Sequence, residues 1–85
     1  MKILYFTAEW CGPCKTFKPI VQQVMSETST NVQFIDVDQD KTTTSTYQVT
    51  SVPTIMMVNN NGIIAYRQSG VISKPQLTTL FNQFK

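Results

Sequence analysis

Residues 2–6, Lys-Ile-Leu-Tyr-Phe, pack branched and aromatic side chains together with no polar alternation. A short run of this kind suits a strand covered on both faces, which commits the chain to layers on either side of a sheet. The rest of the chain supplies those layers. From Cys11 to about Thr28 the apolar residues Phe17, Val21, Val24 and Met25, with Ile20 beside them, recur at helical spacing along one face. Pro19 lies inside that stretch and is expected to kink it. Val32 to Val37 reads as a second strand. Asp38 to Asp40 then opens a weak helix through Tyr47, weak because Thr42 to Thr46 are poor helix formers. Thr54 to Asn59 and Ile63 to Gln68 read as an antiparallel pair joined by the turn Asn60-Asn61-Gly62. Ser73-Lys74-Pro75-Gln76 has the signs of a capped helix start, and Leu77, Leu80, Phe81 and Phe84 give that helix its buried face. The expected architecture is α/β, in the order β-α-β-α-β-β-α. A four-stranded mixed sheet carries helices on both faces, in one domain spanning residues 1–85.

Charge and composition narrow the function classes. The hydrophobic fraction is 41%, enough for a core of one small domain. The formal charge is +2, and Lys2, Lys15, Lys18, Lys41, Arg67, Lys74 and Lys85 are scattered, not striped, so no nucleic-acid partner is expected. The absence of histidine removes Ser-His-Asp and Cys-His mechanisms and any histidine-ligated metal. The apolar runs are strand-sized, far below the roughly 20 residues of a membrane helix, so no membrane partner is expected. The N-terminus leads into Thr7-Ala8-Glu9-Trp10 and does not read as a signal peptide, which makes the cytoplasm the expected location.

Two cysteines stand in Trp10-Cys11-Gly12-Pro13-Cys14, where the first strand ends and the first helix begins. The first turn of a helix has unpaired N–H groups and the positive end of the macrodipole. A thiolate at Cys11 is stabilised there by up to ~2 kcal/mol, or roughly 1.5 pKa units. A thiol near pKa 8.5 is about 3% ionised at pH 7, and one near 7 about half ionised. Cys14 lies on the buried helical face, three residues before Phe17, whereas Cys11 lies at the tip beside Gly12, where approach is expected to be open. These positions suggest that Cys11 attacks a substrate disulfide and Cys14 resolves the mixed disulfide. Other readings of the pair stay open. As a structural staple, so short a loop contributes only ~2 kcal/mol. As half of a metal site, it lacks two of the four ligands zinc usually takes. It could also be an inert relic of the fold.

The stretch Ala8-Glu9-Trp10-Cys11-Gly12-Pro13-Cys14-Lys15 resembles the active-site signature of thioredoxins. Further matches come in the family's order. Pro19 resembles the proline of the family's active-site helix, and Asp36-Val37-Asp38 the acidic end of its next strand. Val52-Pro53-Thr54 resembles its cis-proline loop, Asn61-Gly62 its hairpin turn, and Gly70 the glycine beside its substrate groove. The resemblance implies a cis Pro53, which would leave the backbone of Val52 free to pair with an extended substrate strand. It also implies that Trp10, Gly12, Pro13, Val52, Pro53 and Gly70 bind substrate around Cys11 and Cys14. The chain starts at the family's first central strand, without the usual preceding strand and helix. Three departures cluster behind the cysteines: Tyr5 stands in place of a buried aspartate, Thr7 of a tryptophan and Phe34 of a lysine. The proton route to the resolving thiol must therefore differ, with Tyr5, a water, Glu9 or Asp36 as candidates.

The function that this resemblance implies is reduction of disulfide bonds in proteins by a monomer, recharged by a reductase of the thioredoxin-reductase type. No cofactor is expected, because the cysteine pair is itself the redox group. Two alternatives are a glutaredoxin-like enzyme working with glutathione, and an interaction module whose redox activity is incidental.

Overall fold

The computed structural model describes residues 1–84. Strand β1 (Lys2–Thr7) leads into helix α1 (Gly12–Thr28) and strand β2 (Gln33–Asp36). A short helix α2 (Lys41–Thr46) precedes strands β3 (Thr54–Val58) and β4 (Ile64–Ser69), and helix α3 (Lys74–Gln83) closes the chain. The sheet runs β2-β1-β3-β4. β1 and β2 are parallel, with Tyr5 opposite Phe34 and Thr7 opposite Asp36. β3 is antiparallel to β1 and to β4. The element order and mixed sheet match the reading of the sequence, with ends moved by a residue here and there.

The unbroken apolar run of β1 is explained by two cores, one on each face. Ile3 and Tyr5 join Phe17, Val21 and Val24 of α1 and Leu77, Leu80 and Phe81 of α3 on one side. Leu4 and Phe6 join Ile35, Met56 and Val58 on the other, under Tyr47, Val49 and Val52. Every residue of β3 is buried for the same reason, while β4 is an edge strand and mostly exposed. In α1 the expected stripe holds: Phe17, Val21 and Val24 are fully buried, and Ile20 and Met25 are half-buried beside them. The helix continues through Pro19. The capping box of α3 is present in both directions between Ser73 and Gln76. The hairpin turn closes with Gly62 in the left-handed region at φ +79, where a side chain would be strained.

Helix α2 shows how a poor sequence is held in place. Asp40 caps it, its carboxylate accepting the N–H of Thr43 at 3.0 Å and the Thr43 hydroxyl at 2.8 Å. The hydroxyls of Thr44 and Thr46 donate back to the carbonyls of Asp40 and Thr42, a competition with the backbone that limits helix length. Beyond its last turn, the Arg67 guanidinium reaches from β4 to the carbonyls of Tyr47 and Gln48. The bonds from Thr43 hold the Asp40 carboxyl below its ordinary value of 3.8. A carboxyl depressed in the folded state contributes stability above its unfolded value, and that contribution is lost as pH falls through the folded value. The Thr43 amide resonance is accordingly expected to titrate with a midpoint below 3.8. In Asp40→Asn, whose amide oxygen can still cap, that titration should vanish. A wild-type midpoint at or above the ordinary value would contradict the capping account.

Candidate active site

The site is built at the junction of β1 and α1. The chain leaves β1 after Thr7 and turns at Ala8, whose carbonyl accepts the N–H of Cys11 at 3.2 Å. That turn sets Cys11 at the N-cap of α1 with extended backbone angles, φ −85 and ψ 106. Pro13 sits in the first turn, where its missing N–H costs nothing. The Cys11 Sγ accepts the backbone N–H of Cys14 at 3.2 Å. A sulfur thus occupies the place that Ser, Thr or Asp usually takes, facing donors without helical partners. Once the pair is reduced, donors so placed favour a thiolate over a thiol.

The two cysteines form a disulfide with their Cα atoms 5.2 Å apart. Cys14 is buried, as its place on the inner face of α1 requires. Cys11 is not open at the tip as expected from sequence, for it is only 4% exposed against 2% for Cys14. In the oxidised pair Cys11 folds in against Ala8 and Cys14, with Val37 and Val52 packed alongside. The two sulfurs are therefore distinguished by hydrogen bonding at the helix start, not by exposure. The open space lies at Gly12, where an added Cβ would meet nothing within 4 Å.

The residues expected around the pair are brought together to different degrees. Val52 packs on the cysteine cluster. The Val52–Pro53 bond is cis, and the carbonyl of Pro53 accepts the N–H of Gly70 at 2.9 Å. Gly70 has φ +86, a conformation that suits glycine. Trp10 is 69% exposed beside the pair. Its indole is not loose: Nε1 donates to Asp38 Oδ2 at 2.7 Å. Asp38 is held in turn by its own N–H, which donates to Asp36 Oδ1 at 2.8 Å. In the sequence Asp38 reads only as part of an acidic strand end. Nothing local marks it as a partner for Trp10, since the two lie 28 residues apart.

Behind Cys14 the structure has two distinct surroundings. Beneath lies Tyr5, fully buried and in edge contact with Phe17 and Phe34, with ring centroids 6.0 and 5.4 Å away. Its hydroxyl donates to the carbonyl of Cys14 at 3.4 Å. Burial pushes the Tyr5 phenol above its ordinary value of 10.0, with the Thr7 hydroxyl acting the other way. Tyr5 is neutral at physiological pH and cannot draw a proton from a thiol. To the side lies an open cleft of about 660 Å³ whose walls include Cys14, Glu9, Lys15, Lys18, Phe34 and Asp36. Among the described residues no group of His, Cys, Asp and Glu is arranged to hold a metal ion.

Comparison with known proteins agrees with this geometry. The thioredoxin family model matches residues 1–83. The chain belongs to the thioredoxin family. It is 34% identical to thioredoxin from Haemophilus influenzae, covering 95% of this chain and 77% of that protein. It is 40% identical to thioredoxin from Mycoplasma genitalium, over 94% of this chain and 78% of that one. The structure of Fasciola hepatica thioredoxin superimposes with a TM-score of 0.85 at 30% identity, covering 98% of this chain and 79% of that chain.

Family membership and the close cysteine pair make this thioredoxin-type chain a thiol–disulfide oxidoreductase, with disulfide reductase activity. The pair can hold two electrons as dithiol or release them on closing the disulfide. Trp10 immediately precedes the pair and Val52 packs against it on the outer side. Tyr5 and the cleft lie on the inner side, where the chain departs from the usual thioredoxin residues.

Proposed function

We propose that Cys11 is the attacking thiolate and Cys14 the resolving thiol in the reduction of protein disulfides. The observation that carries the assignment is the place of Cys11 Sγ at the helix N-cap, accepting the Cys14 N–H. In the first step the Cys11 thiolate attacks one substrate sulfur, and the other substrate sulfur leaves as a thiolate. In the second, Cys14 attacks Cys11 Sγ, forms the intramolecular disulfide and expels the second substrate thiolate. A reductase of the thioredoxin-reductase type then returns two electrons to the pair.

Substrate docks on the outer side, over Trp10, Gly12, Pro13, Val52, Pro53 and Gly70. The exposure of Trp10, the open space at Gly12 and the packing of Val52 on the cysteines support that reading. The chain acts as a single domain spanning residues 1–85 and as a monomer in the cytoplasm. Among the described residues no helix is long and apolar enough to cross a membrane.

Trapping tests the assignment. Cys14→Ser should stop after the first step and accumulate a covalent complex with a disulfide-bearing protein such as insulin. Intact mass under non-reducing conditions would show it, and added dithiothreitol should release it. Trapping by Cys11→Ser in place of Cys14→Ser would reverse the roles.

A further inference from the structure

The second step needs Cys14 as a thiolate, yet Cys14 is 2% exposed, and apolar burial disfavours a thiolate. A proton acceptor within reach would speed that step. Tyr5 cannot serve, because its phenol is neutral and directed at the Cys14 carbonyl. The cleft beside Cys14 offers two carboxylates, Glu9 and Asp36. Glu9 is exposed in the turn before α1, and Asp36 is half-buried at the end of β2. The strand register sets Asp36 beside Thr7 and Phe34 beside Tyr5. Alternation along both strands therefore puts Asp36 on the sheet face that α1 and Cys14 cover. The N–H groups of Asp38 and Gln39 both bond Asp36 Oδ1, at 2.8 and 3.3 Å. They orient the carboxylate and leave Oδ2 for a proton.

We infer that Asp36 accepts, through solvent in this cleft, the proton Cys14 loses as it attacks the mixed disulfide. The Cys14 S–H bond breaks and its proton passes to Asp36. The sulfur pair attacks Cys11 Sγ, the Cys11–substrate bond breaks, and the substrate thiolate leaves with its electrons. Asp36 then returns the proton to solvent or to that thiolate. The inference rests on Cys14 being the resolving thiol. Besides Asp36, the charged groups lining the cleft are Glu9 in the turn and Lys15 and Lys18 on α1, while Tyr5 lies beneath Cys14 and Asp38 and Asp40 follow β2 in the chain. Lys18 Nζ stands 5.4 Å over the Phe34 ring, and the Asp38 carboxylate is tied to Trp10.

The test reads both steps in one trace. Reduced protein is mixed with an aromatic disulfide that releases a coloured thiol, first on attack by Cys11 and again on resolution. Asp36→Asn keeps an oxygen for the two N–H groups and removes the base. It should leave the first release unchanged and slow the second at pH 7 by roughly 10²-fold, the lower end for a positioned proton acceptor. The deficit should close as pH rises and hydroxide deprotonates Cys14 directly. Glu9→Gln should keep the wild-type profile. A wild-type second phase in Asp36→Asn at pH 7, or a slowing of equal factor at every pH, would overturn the inference. Neither result would disturb the roles of the cysteines, which the Cys14→Ser trapping decides separately.

Discussion

Cys11→Ser is expected to lower disulfide reduction to the uncatalysed rate while leaving the reduced protein folded. Serine at this N-cap accepts the Cys14 N–H as well as sulfur does, so the start of α1 keeps its cap. What is lost is the thiolate, and a hydroxyl can neither attack a disulfide sulfur at neutral pH nor hold the electrons. The loss of the cross-link destabilises only the oxidised form, by ~2 kcal/mol for so short a loop. Insulin reduction assayed beside urea unfolding under reducing conditions checks both halves. Turnover above background would mean that Cys14 or another group attacks substrate, and the reading of the site would fall. Unfolding of the reduced variant would instead show that the sulfur itself is structural.

The largest expected stability effect lies nearly two turns further along α1. Phe17 is fully buried, touches Tyr5 edge-on and joins α1 to the core beneath it. Phe17→Ala removes that contact and leaves a cavity between helix and sheet, at a cost of about 3–5 kcal/mol. Domains of this size have total stabilities toward the lower part of about 5–15 kcal/mol. The variant should therefore sit near the unfolding threshold. At roughly 4–8 °C per kcal/mol, its melting temperature should fall by at least about 12 °C by far-UV circular dichroism. The same variant should lose reductase activity, because the helix that presents Cys11 and Cys14 is no longer held to the sheet. A fall of less than about 4 °C, the equivalent of 1 kcal/mol, would mean that the cavity collapses without cost.

The proton route shows where sequence reasoning reaches and where it ends. Reading Tyr5, Thr7 and Phe34 against the family pattern locates a change behind the cysteines without assigning its consequence. Tyr5, a water, Glu9 and Asp36 all stay open on sequence alone. Tyr5 is eliminated as a base only by its surroundings: full burial, aromatic neighbours and a hydroxyl directed at a carbonyl. Asp36 gains over Glu9 only from the β1–β2 register and the turn that fixes its carboxylate. The expected openness of Cys11 fails for a related reason. A helix tip is exposed in a helix considered alone, and here the disulfide and the Val52 loop close over it.

The amino-acid sequence by itself determined the parts that depend on neighbours in the chain. The apolar run of β1 requires cover on both faces, and the stripe from Phe17 to Val24 defines the inner face of α1. Ser73 and Gln76 start α3, Gly62 closes the hairpin, and Cys11 falls where the first strand ends and the first helix begins. Each is a local pattern with one favourable geometry, so it can be read along a line. The tertiary structure alone decided the Trp10–Asp38 bond, the Pro53–Gly70 bond, the burial of Cys11 and the cleft that joins Cys14 to Asp36. All four depend on segments far apart in the chain, placed by strand register and by packing across the sheet. A hydrogen bond is strong only within a few tenths of an ångström of its optimum. That precision is absent from residue order and exists only once both cores have closed.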